Sequence, residues 1–229
     1  MTLFRSNIPV LDKAVTDYCN YLEKLYILPQ GHYALAGGAI RSIFDKTRLK
    51  DFDIYYLGEN FDTGKIPDYT RVTLENTSCS IEIVTPSLLK FSSIPVQIMT
   101  YRYDPDFKTR VTKITSGIVP ECNATTFATS PFEIINSFDL TISKGFVEFT
   151  ISARGNISID SIFVAPECLV DIALRQLRHA EILNVPTQLT TLKRFAKFIS
   201  LGYSCDEDFF TDWRKRLTQN PYLLVLSYD

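Results

Sequence analysis

Leu35-Ala36-Gly37-Gly38-Ala39-Ile40-Arg41-Ser42, followed by Lys50-Asp51-Phe52-Asp53-Ile54-Tyr55, is the stretch whose reading decides the fold. Tyr33 to Ala36 reads as a short buried strand running into the glycine pair, and a brief helix from Ala39 to Asp45 follows. Paired glycines between a strand and a helix let backbone approach a ligand closely, because no Cβ intrudes. The helix start offers N–H groups and the positive end of a dipole, which suits a phosphate. Phe52 to Leu57 reads as a second strand. Asp51 and Asp53 are two apart on it, so they project from one face, while Phe52 and Ile54 can anchor the other face in a core. Two neighbouring carboxylates in a partly buried place repel unless a cation joins them. Hard oxygens of this kind suit Mg²⁺, particularly where the ion also holds substrate phosphates.

Outward from this stretch, the first 30 residues carry one helical period, Leu11, Val15, Tyr18, Leu22 and Leu25, ended by Pro29-Gln30-Gly31. The middle of the chain is strand-rich, with candidates at Arg71–Leu74, Ser80–Val84 and Val96–Tyr101. From Asp104 to Thr129 the pattern loosens into a long excursion with one candidate strand at Arg110–Ile114. Ser130-Pro131-Phe132-Glu133 predicts a helix start: serine caps, proline takes the first helical position, and glutamate reaches back. Strands are then expected at Asp139–Ser143, Phe146–Ser152 and Ile157–Val164, the last two joined by the turn signal Arg154-Gly155-Asn156.

The remainder is helical in pattern. Pro166 opens a helix with Leu169, Ile172, Ala173, Leu177 and Ala180 on one side. Leu189, Leu192, Phe195, Ala196 and Ile199 form the next apolar face, ended by Gly202, and a last helix is expected over Asp206–Leu217. The class is therefore α+β: a mixed sheet with flanking helices over residues 1–165, and a small helical domain over 166–229.

Composition bounds what such a chain does. It has 229 residues, 45% apolar and 22% charged, which excludes a largely disordered or fibrous polymer. No run approaches the roughly 18 apolar residues of a membrane span, and Met1–Asn7 holds no apolar signal core, so a cytoplasmic chain with no membrane partner is expected. A net charge of −2 implies no broad grip on nucleic acid, though it leaves room for a local basic stripe. Five scattered cysteines without CxxC spacing read as reduced thiols, not a disulfide frame or a zinc site.

A third carboxylate would complete a two-metal centre. In Ser137-Phe138-Asp139-Leu140-Thr141-Ile142-Ser143 apolar and polar residues alternate, so Asp139 is the first candidate, with Glu82 in Ser80-Ile81-Glu82-Ile83-Val84 as its rival. Arg41 has two readings, a phosphate contact or a pair with a nearby acid. Ser42 is weighed between facing substrate and lying on the helix surface. Lys193, Arg194 and Lys197, with Arg175 and Arg178 on the preceding helix, form either a solvated face or a basic wall for triphosphate or RNA.

Gly37-Gly38, a spacer of twelve residues and Asp51-Phe52-Asp53 resemble the signature of DNA polymerase β-like nucleotidyltransferases. Gly37-Gly38-Ala39-Ile40-Arg41 looks most like the branch with tRNA CCA-adding enzymes and poly(A) polymerases. Glu133–Asp139 and the basic helix Leu192–Phe198 running to Gly202-Tyr203 are similar to segments of small phage-encoded nucleotidyltransferase-like proteins. The resemblance covers roughly 33–57, 95–101, 131–143 and 189–203. Three departures stand out: Ser42 follows Arg41 where the CCA-adding branch usually has an acid, Asp104 to Thr129 looks like an insertion, and the helical part is far shorter than in those enzymes.

The resemblance implies a polymerase β-like sheet and metal-dependent nucleotidyl transfer. Asp51 and Asp53 would bind two Mg²⁺, with Mn²⁺ as a substitute, and Asp139 would serve the metal that activates the acceptor hydroxyl, as a ligand or a base. Gly37, Gly38, Arg41, Ser42, Arg194 and Lys197 would bind the nucleoside triphosphate. The acceptor hydroxyl is open between an RNA 3′ end, a protein side chain and a second nucleotide. Two other readings compete: synthesis of a linked or cyclic nucleotide, and a catalytically degenerate member acting as a binding or assembly module. The excursion over 104–129 and Ser42 motivate the last.

Overall fold

The computed structural model describes Lys13, Thr16 and residues 28–47, 52–58, 61–66, 68–75, 80–87, 90–91, 94–102, 130–136, 138–180 and 188–211. The elements are β1 (Gly31–Ala36), α1 (Gly38–Asp45), β2 (Phe52–Tyr56), β3 (Tyr69–Glu75), β4 (Ser80–Pro86), β5 (Lys90–Phe91), β6 (Ile94–Arg102), α2 (Pro131–Asn136), β7 (Gly145–Ile151), β8 (Ile157–Val164), α3 (Pro166–Leu174) and α4 (Gln188–Ser200). Seven strands form one mixed sheet in the order β3-β4-β6-β2-β1-β7-β8, and β5 adds to β6. β1 lies antiparallel to both β2 and β7, and β2 runs parallel to β6.

β1 is central because both of its faces are apolar. Tyr33 and Leu35 pack towards α1 in a cluster with Ala39, Ile40, Phe52, Ile54 and Phe149. Ala34 and Ala36 face α2, where Ile134 and Ile135 pack with Tyr55 and Phe146. The alternation of side chains along a strand makes this two-sided burial possible, and the small alanines let α2 sit close. Gly145 does the same for α1: a Cβ there would lie 2.8 Å from Ile40 Cγ2 and 3.3 Å from the Phe163 carbonyl oxygen.

A third cluster joins the helical part to the sheet. Leu140, Ile142, Cys168, Ile172, Leu177, Phe198, Tyr203 and Phe209 pack together, with Phe44 and Val164 shared with the α1 side of the sheet and Phe163 with the α2 side.

Two expectations need correction. Asp139–Ser143 is not a strand. Leu140 makes a single antiparallel bridge to His179, and Thr141–Ser143 is a turn of 3-10 helix. The apolar-polar alternation there reflects burial on several sides, with Leu140, Thr141 and Ile142 all buried. The helix from Pro166 does not reach Ala180. It stops at Leu174, and Arg175 takes a left-handed conformation with φ 50°. Its N–H and that of Gln176 then close on Ile172 and Asp171 carbonyls, in the manner of a helix C-terminal cap.

Residues 175–180 form an extended junction. Leu177 N–H donates to the Ser204 carbonyl, Ser204 N–H to that of Arg175, Thr141 N–H to that of Arg178, and Ala180 N–H to that of Asp139. The fully buried Asp171 carboxylate locks this junction, accepting from Arg178 Nε at 2.8 Å on Oδ1 and 3.0 Å on Oδ2, and from the Thr141 hydroxyl. That bond holds the Arg178 guanidinium above its ordinary pKa.

The expected helix at 11–25 and the strand at Arg110–Ile114 lie outside the described residues, apart from Lys13 and Thr16, which are helical. Of the last expected helix, residues 207–211 are described and helical. No described helix is long and apolar enough to cross a membrane.

Candidate functional site

The glycine pair does what its position demands. Gly37 caps α1 with φ 68° and ψ −126°, a conformation open in practice to glycine alone. Gly38 is the first residue of α1, and Arg41 N–H closes the first helical bond on the Gly37 carbonyl. No acidic side chain occupies that first turn.

Asp53 stands beside this turn. Ile54 pairs with Leu35 in an antiparallel register, which brings Asp53 level with Ala36, one residue from Gly37. Asp53 shares the α2 face with Tyr55 and is half-buried there. Phe138 closes over the same place. Its ring lies 6.4 Å from that of Tyr55, and its Cζ is 3.6 Å from where a Cβ on Gly37 would be. A half-buried carboxylate beside a glycine turn is a hard oxygen donor of the kind that fits Mg²⁺. Asp51, its expected partner, lies outside the described residues.

The rival acid sits elsewhere. Glu82 pairs with Thr100 on β6, whereas Asp53 pairs with Gln97. The three-residue offset puts the Glu82 position on the opposite face of the sheet from Asp53.

Asp139 follows Phe138 directly and is buried. Its Oδ1 accepts from Arg194 Nη1 at 2.8 Å. The acid of this pair is 4% exposed and the arginine 44%. Sequence reasoning placed both residues in one site but in separate roles; the fold joins them.

Arg41 takes the second of its two readings. It is 2% exposed, pairs with Asp45 one turn along α1, and donates to the Thr47 hydroxyl at 2.6 Å. Its guanidinium also lies over the Phe198 ring, 4.9 Å from the centroid. Asp45 accepts from the Tyr203 hydroxyl at 2.8 Å. Burial pushes the Asp45 carboxyl up, but the Thr47 bonds, Arg41 and Tyr203 together outweigh it and leave the pKa lowered. Burial, with Asp45 beside it, pushes the Tyr203 phenol well above its ordinary value.

The Ser42 hydroxyl donates to the Ala39 carbonyl within its own helix at 2.8 Å. Lys197 Nζ lies 5.6 Å from the Phe198 ring centroid. The histidines stand apart. His32, at the far end of β1 from Gly37, meets Asp160 at 3.1 Å, and His179 stacks on Phe209. The Asp45–Thr47–Tyr203 network was missed from sequence, although Arg41 and Asp45 at a four-residue step on a helix were its visible half.

A family model described as Gad2: Gabija anti-defense 2 family protein matches residues 10–175. The chain belongs to the Gad2 family. No curated protein matches its sequence. Its fold is similar to that of the Thermotoga maritima CCA-adding enzyme complexed with tRNA CCA, at a TM-score of 0.51 and 11% identity over 96% of this chain and 47% of that one. CCA-adding enzyme complexes with ATP and with CTP also match, both at a TM-score of 0.48, with 15% and 13% identity over 97% of this chain and 48% of those. The Gad2 chain thus spans about half the length of the enzymes it resembles, and shares with them the nucleotidyltransferase fold.

Proposed function

We propose that this Gad2-family chain is a metal-dependent nucleotidyltransferase that opposes Gabija defence by moving a nucleoside monophosphate from an NTP to a hydroxyl acceptor. The observation that carries this is the placement of Asp53 beside the Gly37-Gly38 turn. The turn and the start of α1 would cradle the triphosphate. Asp51 and Asp53 would hold Mg²⁺, which when bound neutralises the phosphates and aligns attacking and leaving oxygens. The acceptor oxygen attacks the α-phosphorus, the bond to the β-phosphate breaks, pyrophosphate departs, and the acceptor proton passes to solvent. RNA 3′ ends, a protein hydroxyl and a second nucleotide are the acceptor classes to be tried.

The second reading, a member that opposes Gabija by binding alone, is favoured by one observation: the Asp139 carboxylate is already paired with Arg194. One experiment separates the two. Asp53→Asn is assayed for transfer of label from α-labelled NTPs and for protection against Gabija. Loss of both in a folded variant supports catalysis; retained protection without transfer supports binding.

A further inference from the structure

We infer that Asp139 is a positioning residue, one that holds the Arg194 guanidinium at the glycine turn as a phosphate-binding arm, instead of serving as a metal ligand. The inference rests on the nucleotidyltransferase reading and assigns a role to one of its groups. Two sets of contacts link Arg194 to the turn. The first is local: Asp139 follows Phe138, whose ring closes over Gly37, and Asp139 Oδ1 binds Arg194 Nη1 at 2.8 Å. The second is the contact of α4, and of the segment that follows it, with α1. Phe198 lies against Arg41, and Tyr203 reaches Asp45. Arg194 precedes Phe198 by one helical turn on α4, and Arg41 N–H bonds the Gly37 carbonyl at the start of α1.

The asymmetry of burial fixes which residue serves the other. A metal ligand needs its carboxylate lone pairs turned to the ion, but the Asp139 carboxylate is 4% exposed and already holds a cation. Arg194 is 44% exposed. A guanidinium has five donors in a rigid fork, so one bond to Asp139 fixes its plane and leaves other donors for a phosphate. A carboxylate that orients a half-exposed arginine reduces the entropy lost when an anion binds.

The test uses the full chain, with inorganic tripolyphosphate as the anion probe and Mn²⁺ as the metal probe, each followed by calorimetry and the metal also by electron paramagnetic resonance. The expected result is that Asp139→Ala and Arg194→Gln each weaken tripolyphosphate about tenfold, as loss of a charge-assisted bond implies. Mn²⁺ affinity stays within twofold, and Arg194→Lys recovers part of the anion binding. The sign is diagnostic: Asp139→Ala removes a negative charge, so a carboxylate acting only through its field would tighten the anion on removal. Tighter tripolyphosphate binding in Asp139→Ala, or a tenfold loss of Mn²⁺ with the anion unaffected, overturns the inference. So does tripolyphosphate binding that Arg194→Gln leaves unchanged, a variant that keeps Asp139 and the fold. Failure of the unaltered chain to bind Mn²⁺ strikes the nucleotidyltransferase reading instead, and the anion arm still decides the role of Asp139.

Discussion

The glycine turn between β1 and α1 and the junction formed by residues 139–143, 175–180 and 204 are held in opposite ways. The turn is local. Its shape comes from one glycine φ and a strand register that brings Asp53 level with Ala36, and the Phe138 ring is the distant group that closes over it. The junction gathers three segments far apart in the chain, tied by backbone bonds between irregular residues and by a buried Asp171 with its Thr141 and Arg178 partners. The first region carries the groups proposed for chemistry, while the second fixes where α4 and Arg194 stand relative to them. Changes at the turn should therefore affect reaction more than folding, and changes at the junction the reverse.

The largest effect expected is on the turn side. Asp53→Asn should lower nucleotidyl transfer by about 10³-fold, on the scale seen when one electrostatic stabiliser is lost. Its melting temperature should stay close to that of the unaltered chain, because the side chain is only half-buried. A large drop in melting temperature would break the contrast between the regions. On the junction side, Asp171→Ala should cost about 3 kcal/mol by denaturant titration, since it leaves the buried Thr141 hydroxyl only its long bond to the Arg178 carbonyl and releases Arg178. The half-exposed Arg178 rehydrates, which keeps the loss below that of a wholly buried pair. A smaller expected change is that of Gly37→Ala, about 2 kcal/mol, from forcing a side chain into a φ of 68° with ψ −126°. That variant sharpens the comparison, because it strains the turn without touching a carboxylate.

The smallest is a pH effect at the link between the two regions. The Asp45 carboxyl has a lowered pKa in the folded chain. Its contribution to stability is present above the unfolded value near 4 and disappears as pH falls through the folded one. Thermal melts below about pH 4 should show this loss, and Asp45→Asn should flatten that part of the profile.

The sheet was legible because its strands are marked by side-chain alternation and by glycine or proline at their ends. Ile157–Val164 falls where the pattern put it, and Phe52–Tyr56 within one residue. The Ser130-Pro131 start likewise gave α2. At Leu140 and Arg175 the pattern misled. Alternation at 138–143 and a helical period through Ala180 both arose from burial against distant segments, which no local window contains. The candidate site divided along the same line. Gly37, Gly38 and Asp53 were readable from spacing, but the pairing of Asp139 with Arg194 spans 55 positions and depends on where the fold sets α4.

The most direct test is incubation of the purified chain with each α-labelled NTP and Mg²⁺ in the presence of RNA, protein and nucleotide acceptors, with pyrophosphate measured alongside label. The expected outcome is stoichiometric pyrophosphate release and labelled acceptor with the unaltered chain, and neither with Asp53→Asn. Equal transfer by Asp53→Asn, or no nucleotide bound at millimolar concentration by the unaltered chain, would contradict a catalytic site at the glycine turn.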